Sequence, residues 1–195
     1  ASQRLSVLFQ SLIERRKTEG ALVDDNLKLT ELLRAGVEML KMHTASEALQ
    51  LFLRSERVCQ DMRLALSHQD RWVENLVVRE WVDIDPDMEF RGFVSGGRLN
   101  ALSQYNGLAF FPRLVSMRDA ICEKLQSFFA DVIAPRLLDY AQEYVIDFAI
   151  TGKNLDKLWV IEINPFLDST DGMLFSWVRE KPILQNGECS LSFVR

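Results

Sequence analysis

Metal-ligating and disulfide chemistry have little to work with in this 195-residue chain, which has two histidines and three cysteines. His43 and His68 have no Cys or His at ligand spacing, so zinc is not expected. Cys59, Cys122 and Cys189 lie far apart, form no CxxC pair and are odd in number, which reads as reduced thiol rather than a disulfide framework. No apolar run approaches the ~20 residues needed to cross a bilayer, and the opening residues lack the pattern of a secretory leader. Neither a membrane nor an export route is expected. Cations are also scarce. With 23 Lys and Arg against 28 Asp and Glu, the net charge is −5. That excludes a general nucleic-acid surface, because phosphate neutralisation needs clustered positive charge. There is no internal repeat, no low-complexity segment and no glycine-rich phosphate loop in the first 75 residues. The chain starts Ala1-Ser2 without a methionine, which predicts a piece of a longer protein.

What is present is ordinary for a globular protein, with 48% apolar and 26% charged residues, enough for one buried core or a little more. Residues 1–75 read as helical. Leu5, Leu8, Phe9, Leu12 and Ile13 recur at helix spacing, as do Leu29, Leu32, Leu33, Val37 and Leu40. A third helix is predicted from Thr44 or Ser46, with Glu47 as the capping-box partner of Thr44. The pattern changes near residue 76. Leu76-Val77-Val78-Arg79-Glu80-Trp81-Val82 is apolar and β-branched and predicts a buried strand. Glu89–Val94 and Leu99–Tyr105, joined through Gly96-Gly97, predict a β-hairpin. Leu114, Met117, Ile121, Leu125, Phe128, Phe129 and Val132 form the stripe of one long helix that Pro135 should end or closely follow. Gln142–Ile150 and Leu158–Pro165 predict a second hairpin. The order indicates an α+β fold, an antiparallel sheet covered by helices. It divides into a helical region over 1–75 and a domain over 76–195.

The second hairpin carries the strongest chemical signal. Side chains alternate across a strand, so Val145, Asp147 and Ala149 share one face, and Val160, Glu162 and Asn164 share one on the returning strand. Asp147 should lie beside Ile161 or Glu162. If Tyr144, Ile146, Phe148 and Ile150 line a core together with Trp159, Ile161 and Ile163, then Asp147, Glu162 and Asn164 converge on the other side. Two carboxylates and an amide oxygen are hard donors of the kind magnesium takes. The plainer reading is that strand-end acids are solvated. Against it, these acids interrupt very apolar strands, where an unpaired charge is costly.

On the first hairpin Glu89, Arg91 and Phe93 share a face, and the turn is expected to set Glu89 opposite Gln104. A carboxylate there can accept ribose hydroxyls and a guanidinium can meet phosphate oxygens. A cross-strand salt-bridge ladder on a wet face is the alternative.

Taken together, Trp81, Glu89-Phe90-Arg91, Ser103-Gln104, Ile146-Asp147-Phe148, Glu162-Ile163-Asn164-Pro165-Phe166, Thr170-Asp171 and Leu174-Phe175-Ser176-Trp177 resemble, in order and spacing, the cell division cycle protein 123 family. The resemblance covers roughly 76–178, and 41–62 loosely. It implies an ATP-grasp fold and a cytoplasmic assembly factor for translation initiation factor 2, with a subunit of that factor as protein partner and ATP and Mg2+ as cofactors. By the same resemblance Arg79-Glu80-Trp81-Val82 is the hinge that meets adenine through its backbone. Glu89 holds ribose, Arg91 approaches the phosphates, and Asp147, Glu162 and Asn164 are the magnesium ligands. Glu162 stands where the family usually has Asp. The family's phosphate-clamping lysines, carried on upstream lid strands, have no counterpart before residue 41, where the sequence is helical; Lys28, Lys41 and Arg54 are the stand-ins. The N-terminal lobe is therefore expected to be helical or incomplete.

Three functions follow from this reading. The first is an ATP- and magnesium-binding assembly factor. The second is an ATP-grasp ligase or phosphotransferase, for which only Arg113 and Arg118 offer themselves near an acceptor, so enzymatic activity is left open. The third is a degenerate module that only binds protein.

Overall fold

A computed structural model of the chain describes residues 2–68 and 75–194. Residues 69–74, which belong to the predicted helical region, lie outside the described residues. The chain divides into two compact units, one of residues 1–35 with 83–195 and one of residues 36–82. This differs from a division at 75/76. Charge pairing ties the first helices to each other and to the segment that leads into the sheet: Arg16 Nε donates to the buried Glu31 at 2.8 Å, and Arg34 bonds Asp85 at 3.0 Å.

In the larger unit, α1 (Ser2–Thr18) and α2 (Asp25–Glu38) begin the chain. A sheet follows, built from β1 (Glu89–Ser95), β2 (Arg98–Gln104), β3 (Tyr144–Thr151), β4 (Lys157–Asn164) and β5 (Leu191–Ser192). The strand order is β4-β3-β1-β2-β5. All pairings are antiparallel except the two-residue β5, which runs parallel to β2 and was not foreseen. Both hairpins form. Gly96 and Gly97, at φ 60° and 70°, make the primed turn whose twist suits a hairpin.

Between β2 and β3 the long helix α5 (Pro112–Phe128) packs on one face of the sheet. Phe90, Leu102, Ile146, Phe148 and Ile150 from the strands meet Leu114, Ile121 and Leu125 from the helix, all essentially buried. Burial of each such side chain stabilises by about 1.5–3 kcal/mol. The helix does not stop at Pro135. One π turn (Phe129–Ile133) leads into α6 (Ala134–Leu137), with Pro135 in its first turn. The wider turn breaks the α-helical register, so the proline's missing N–H falls where no bond is required. Gly92 lies on the core side of β1, where a Cβ would stand 2.8 Å from both Leu99 Cδ1 and Phe148 Cε2. A methyl group there would have to displace both side chains.

The second unit contains α3 (Ala45–Arg54) and α4 (Glu56–Ser67). The predicted capping box is present: Glu47 N–H donates to Thr44 Oγ1 at 3.2 Å, and Thr44 N–H donates to Glu47 Oε2 at 3.1 Å. The strand expected at 76–82 does not form. Those residues have no regular structure, and Leu76, Val77 and Val78 are exposed. A strand needs a hydrogen-bonding neighbour, and no described strand pairs with this segment.

Candidate functional site

The face of the sheet away from α5 carries the polar residues. Its register sets Asp147 opposite Arg91 on β1 and opposite Glu162 on β4, with Asn164 opposite Val145. Asp147, Glu162 and Asn164 therefore do come together. The route differs from simple alternation. A bulge between Asp147 and Phe148, opposite Ile161, shifts the parity of β4. On its turn side Leu158 and Val160 pack against the core, while Trp159 sits opposite Ala149 and bonds Thr151 at 2.9 Å. The expected core face of Trp159, Ile161 and Ile163 is thus replaced. The bulge still delivers Glu162 and Asn164 to Asp147's side.

At the centre is an ion pair. Arg91 Nε donates to Asp147 Oδ1 at 2.8 Å and Nη2 donates to Oδ2 at 2.7 Å, with both side chains buried. Arg91 Nη1 also donates to the backbone oxygen of Asp171 at 2.8 Å. The guanidinium lies 5.1 Å over the Tyr105 ring, a cation–π arrangement. Glu162 Oε1 is 3.8 Å from Arg91 Nη2 and accepts from Asn164 Nδ2 at 3.0 Å. Glu162 is the accessible member, its side chain 53% exposed.

The electrostatics follow from burial. Removal from water raises the Asp147 carboxyl above its ordinary range; Arg91 opposes the rise and a hydrogen bond with Glu162 adds to it. Glu89, on the same face of β1, is pushed up to about 7, by burial first and then by the nearby Asp147 and Glu162 carboxylates.

Other expected site residues lie elsewhere. Gln104 pairs with Phe90, not Glu89, because the register is offset by one residue from the expected one. That turns it to the core side, 1% exposed, where its amide donates to Ala109 O at 2.9 Å and accepts from Val194 N–H at 3.1 Å. Ser103 takes the place opposite Arg91. Arg79, Glu80, Trp81 and Val82 belong to the second unit, with Arg79 and Glu80 exposed and Lys41 Nζ 5.6 Å from the centroid of the Trp81 ring. Lys28 pairs with Asp25 at 2.8 Å and Lys41 with Glu38 at 3.7 Å; Arg54 lies in the last turn of α3. Arg113 grips Asp87 through Nε at 2.7 Å and Nη2 at 2.6 Å.

Two contributors were missed. Tyr105 follows Ser103-Gln104 directly, and parity from Arg91's partner would have found it. The Asp171 carbonyl is a backbone group with no residue signature. Its loop is set by Thr170 Oγ1 bonding Pro165 O at 2.7 Å and by Trp177 Nε1 bonding Thr170 O at 2.6 Å.

Among the described residues no group of three His, Cys, Asp or Glu side chains forms a metal cage. The donor set here is different: two carboxylates and an amide. A carboxylate offers about four lone-pair sites, and Arg91 takes two on Asp147. With Asn164's nitrogen turned to Glu162, its oxygen is left as the third donor. That chemistry fits a hard divalent ion held by few protein ligands.

A family model described as D123 matches residues 33–188. Cell division cycle protein 123 of Eremothecium gossypii is 34% identical over 143 residues, covering 71% of this chain and 39% of that protein. A translation initiation factor eIF2 assembly protein of Xenopus tropicalis is 29% identical over 144 residues, covering 71% and 42%. The chain thus spans about two-fifths of the length of these relatives. The solved structure of Cdc123 from Schizosaccharomyces pombe superposes with a TM-score of 0.60 at 28% identity, covering 80% of this chain and 64% of that one. The fold is accordingly α+β and ATP-grasp-like.

Proposed function

Because the chain belongs to the D123 family, we propose that it binds ATP with magnesium on the Arg91–Asp147 face and acts in assembling a translation initiation factor 2 complex in the cytoplasm. The observation that carries the reading is the register that aligns Arg91, Asp147 and Glu162 across three neighbouring strands, with Asn164 beside them. Asp147, Glu162 and Asn164 would hold the metal. When bound, magnesium supplies charge that offsets the triphosphate. Arg91 orients Asp147 and ties the Asp171 loop to the sheet, and an N–H group it does not spend on them would meet phosphate oxygens on a small local opening. Glu89 would accept ribose hydroxyls.

A ligase or phosphotransferase would need a further cation or base at an acceptor. Of the two candidates, Arg113 and Arg118, Arg113 is engaged by Asp87 and by Asp85 at 3.2 Å. This favours binding without turnover. The test is ADP release from Mg-ATP by the purified chain, followed beside equilibrium binding. Saturable binding with no sustained release is expected. Sustained ADP production on adding an acceptor would overturn the assembly reading in favour of the ligase.

A further inference from the structure

Beyond the nucleotide face, the larger unit has a cavity of about 520 Å³ whose lining includes Glu143, Phe166, Leu167, Asp168, Trp177, Val178 and Lys181. Its floor is aromatic. The Trp177 ring meets Phe166 edge-on at 5.0 Å and Phe93 at 5.7 Å. Its rim is apolar and open to water, with Leu167 57% and Val178 90% exposed. An aliphatic side chain that exposed, beside a preformed aromatic hollow, is the arrangement of an anchor pocket. The walls are fixed in place: Thr170 N–H bonds Leu167 O at 3.0 Å, Trp177 Nε1 bonds Thr170 O at 2.6 Å, and Ser176 N–H bonds Glu180 Oε2 at 2.6 Å. A cleft that needs no rearrangement binds at lower entropic cost.

The charges choose the occupant. Two carboxylates, Glu143 and Asp168, line the cleft against one ammonium, Lys181. Glu143 is steadied by Ser95 Oγ, which donates to it at 2.9 Å. The excess is negative, so a cation beside an apolar group is complementary and an anion is disfavoured. We propose that this cleft docks a short extended segment of a protein partner, an aromatic or aliphatic side chain seated on Trp177 and a neighbouring Lys or Arg paired with Asp168 and Glu143. The same loop that forms one wall is tied to the nucleotide face, since Asp171 O accepts from Arg91 at 2.8 Å. The docking site rests on the proposed assembly role, to which it gives a surface, and its test uses neither nucleotide nor initiation-factor sequence.

The test uses two probes, the peptides acetyl-Ala-Phe-Ala-Arg-Ala-amide and acetyl-Ala-Phe-Ala-Glu-Ala-amide, titrated into the full chain while the Trp177 indole N–H resonance is followed. The arginine peptide should shift that resonance saturably and bind about threefold to fivefold tighter than the glutamate peptide, the range of an exposed ion pair. Asp168→Asn with Glu143→Gln should remove the preference and keep the shift. Val178→Glu, at a side chain 90% exposed and so safe for folding, should weaken the glutamate peptide further. No saturable shift, or equal affinity for both peptides, would overturn the proposal. Because the peptides carry no nucleotide and no initiation-factor sequence, that failure would leave the proposed function standing. Loss of Mg-ATP binding would likewise leave the cleft standing.

Discussion

Arg91 holds Asp147 through both carboxylate oxygens, at 2.8 and 2.7 Å, across two adjacent strands and out of reach of water. Two charges buried in this way are each costly alone, and geometry this close offsets the desolvation only while both are present. Asp147→Leu or Arg91→Met should therefore lower folding stability by about 3–5 kcal/mol, while the double variant combining the two should cost much less than the sum. Urea unfolding of the four chains measures this. Additive losses would show that the pair is not coupled.

Glu89 makes stability depend on pH. Its carboxyl sits at about 7 in the folded chain against an ordinary 4.5. The folded state thus binds more protons than the unfolded state between those values, and stability contributed by this group falls as pH rises from 4.5 to 7. Below that window the group is protonated in both states and nothing is lost. Glu89→Gln should accordingly be more stable than the parent by about 1–3 kcal/mol at pH 8 and equal to it near pH 4. Thermal melts at the two pH values check it; a constant difference at both would contradict the burial argument.

Gly92 tests the packing of the sheet against α5. A methyl group at this position would stand 2.8 Å from Leu99 and Phe148 side-chain atoms. Gly92→Ala should cost about 1–3 kcal/mol, the usual penalty of overfilling a packed core. Combined with Leu99→Ala, which opens space beside the new methyl, it should cost less than the sum of the two single losses, read from urea unfolding; strict additivity would contradict the close contact.

The hairpins and α3 with its capping box were legible in the sequence because each rests on local periodicity or turn chemistry; the convergence of Asp147, Glu162 and Asn164 was expected from a core face of Trp159, Ile161 and Ile163 that the bulge replaces, and it comes from register instead. What was not legible depended on pairing. Residues 76–82 have the composition of a strand but no neighbour, and composition does not report neighbours. Gln104 fell on the wrong face because a one-residue offset in register reverses every side chain. The π turn before Pro135 and the bulge opposite Ile161 are single-residue departures from a period, and an averaged pattern passes over them. The Asp171 carbonyl acts through the backbone, which the residue type does not announce.

The most direct measurement is calorimetric titration of ATP into the chain with and without magnesium, repeated on Glu162→Gln. That side chain is 53% exposed and outside the buried Arg91–Asp147 pair, so its loss should leave folding intact. Among the described residues of the larger unit, Arg91 is the expected phosphate-binding cation on this face, so affinity should be modest and should fall as salt is added. It should depend on magnesium, and Glu162→Gln should weaken the magnesium-dependent part by about 1–3 kcal/mol, as for loss of one charged ligand. Tight binding that ignores magnesium and is unchanged in Glu162→Gln would contradict the account.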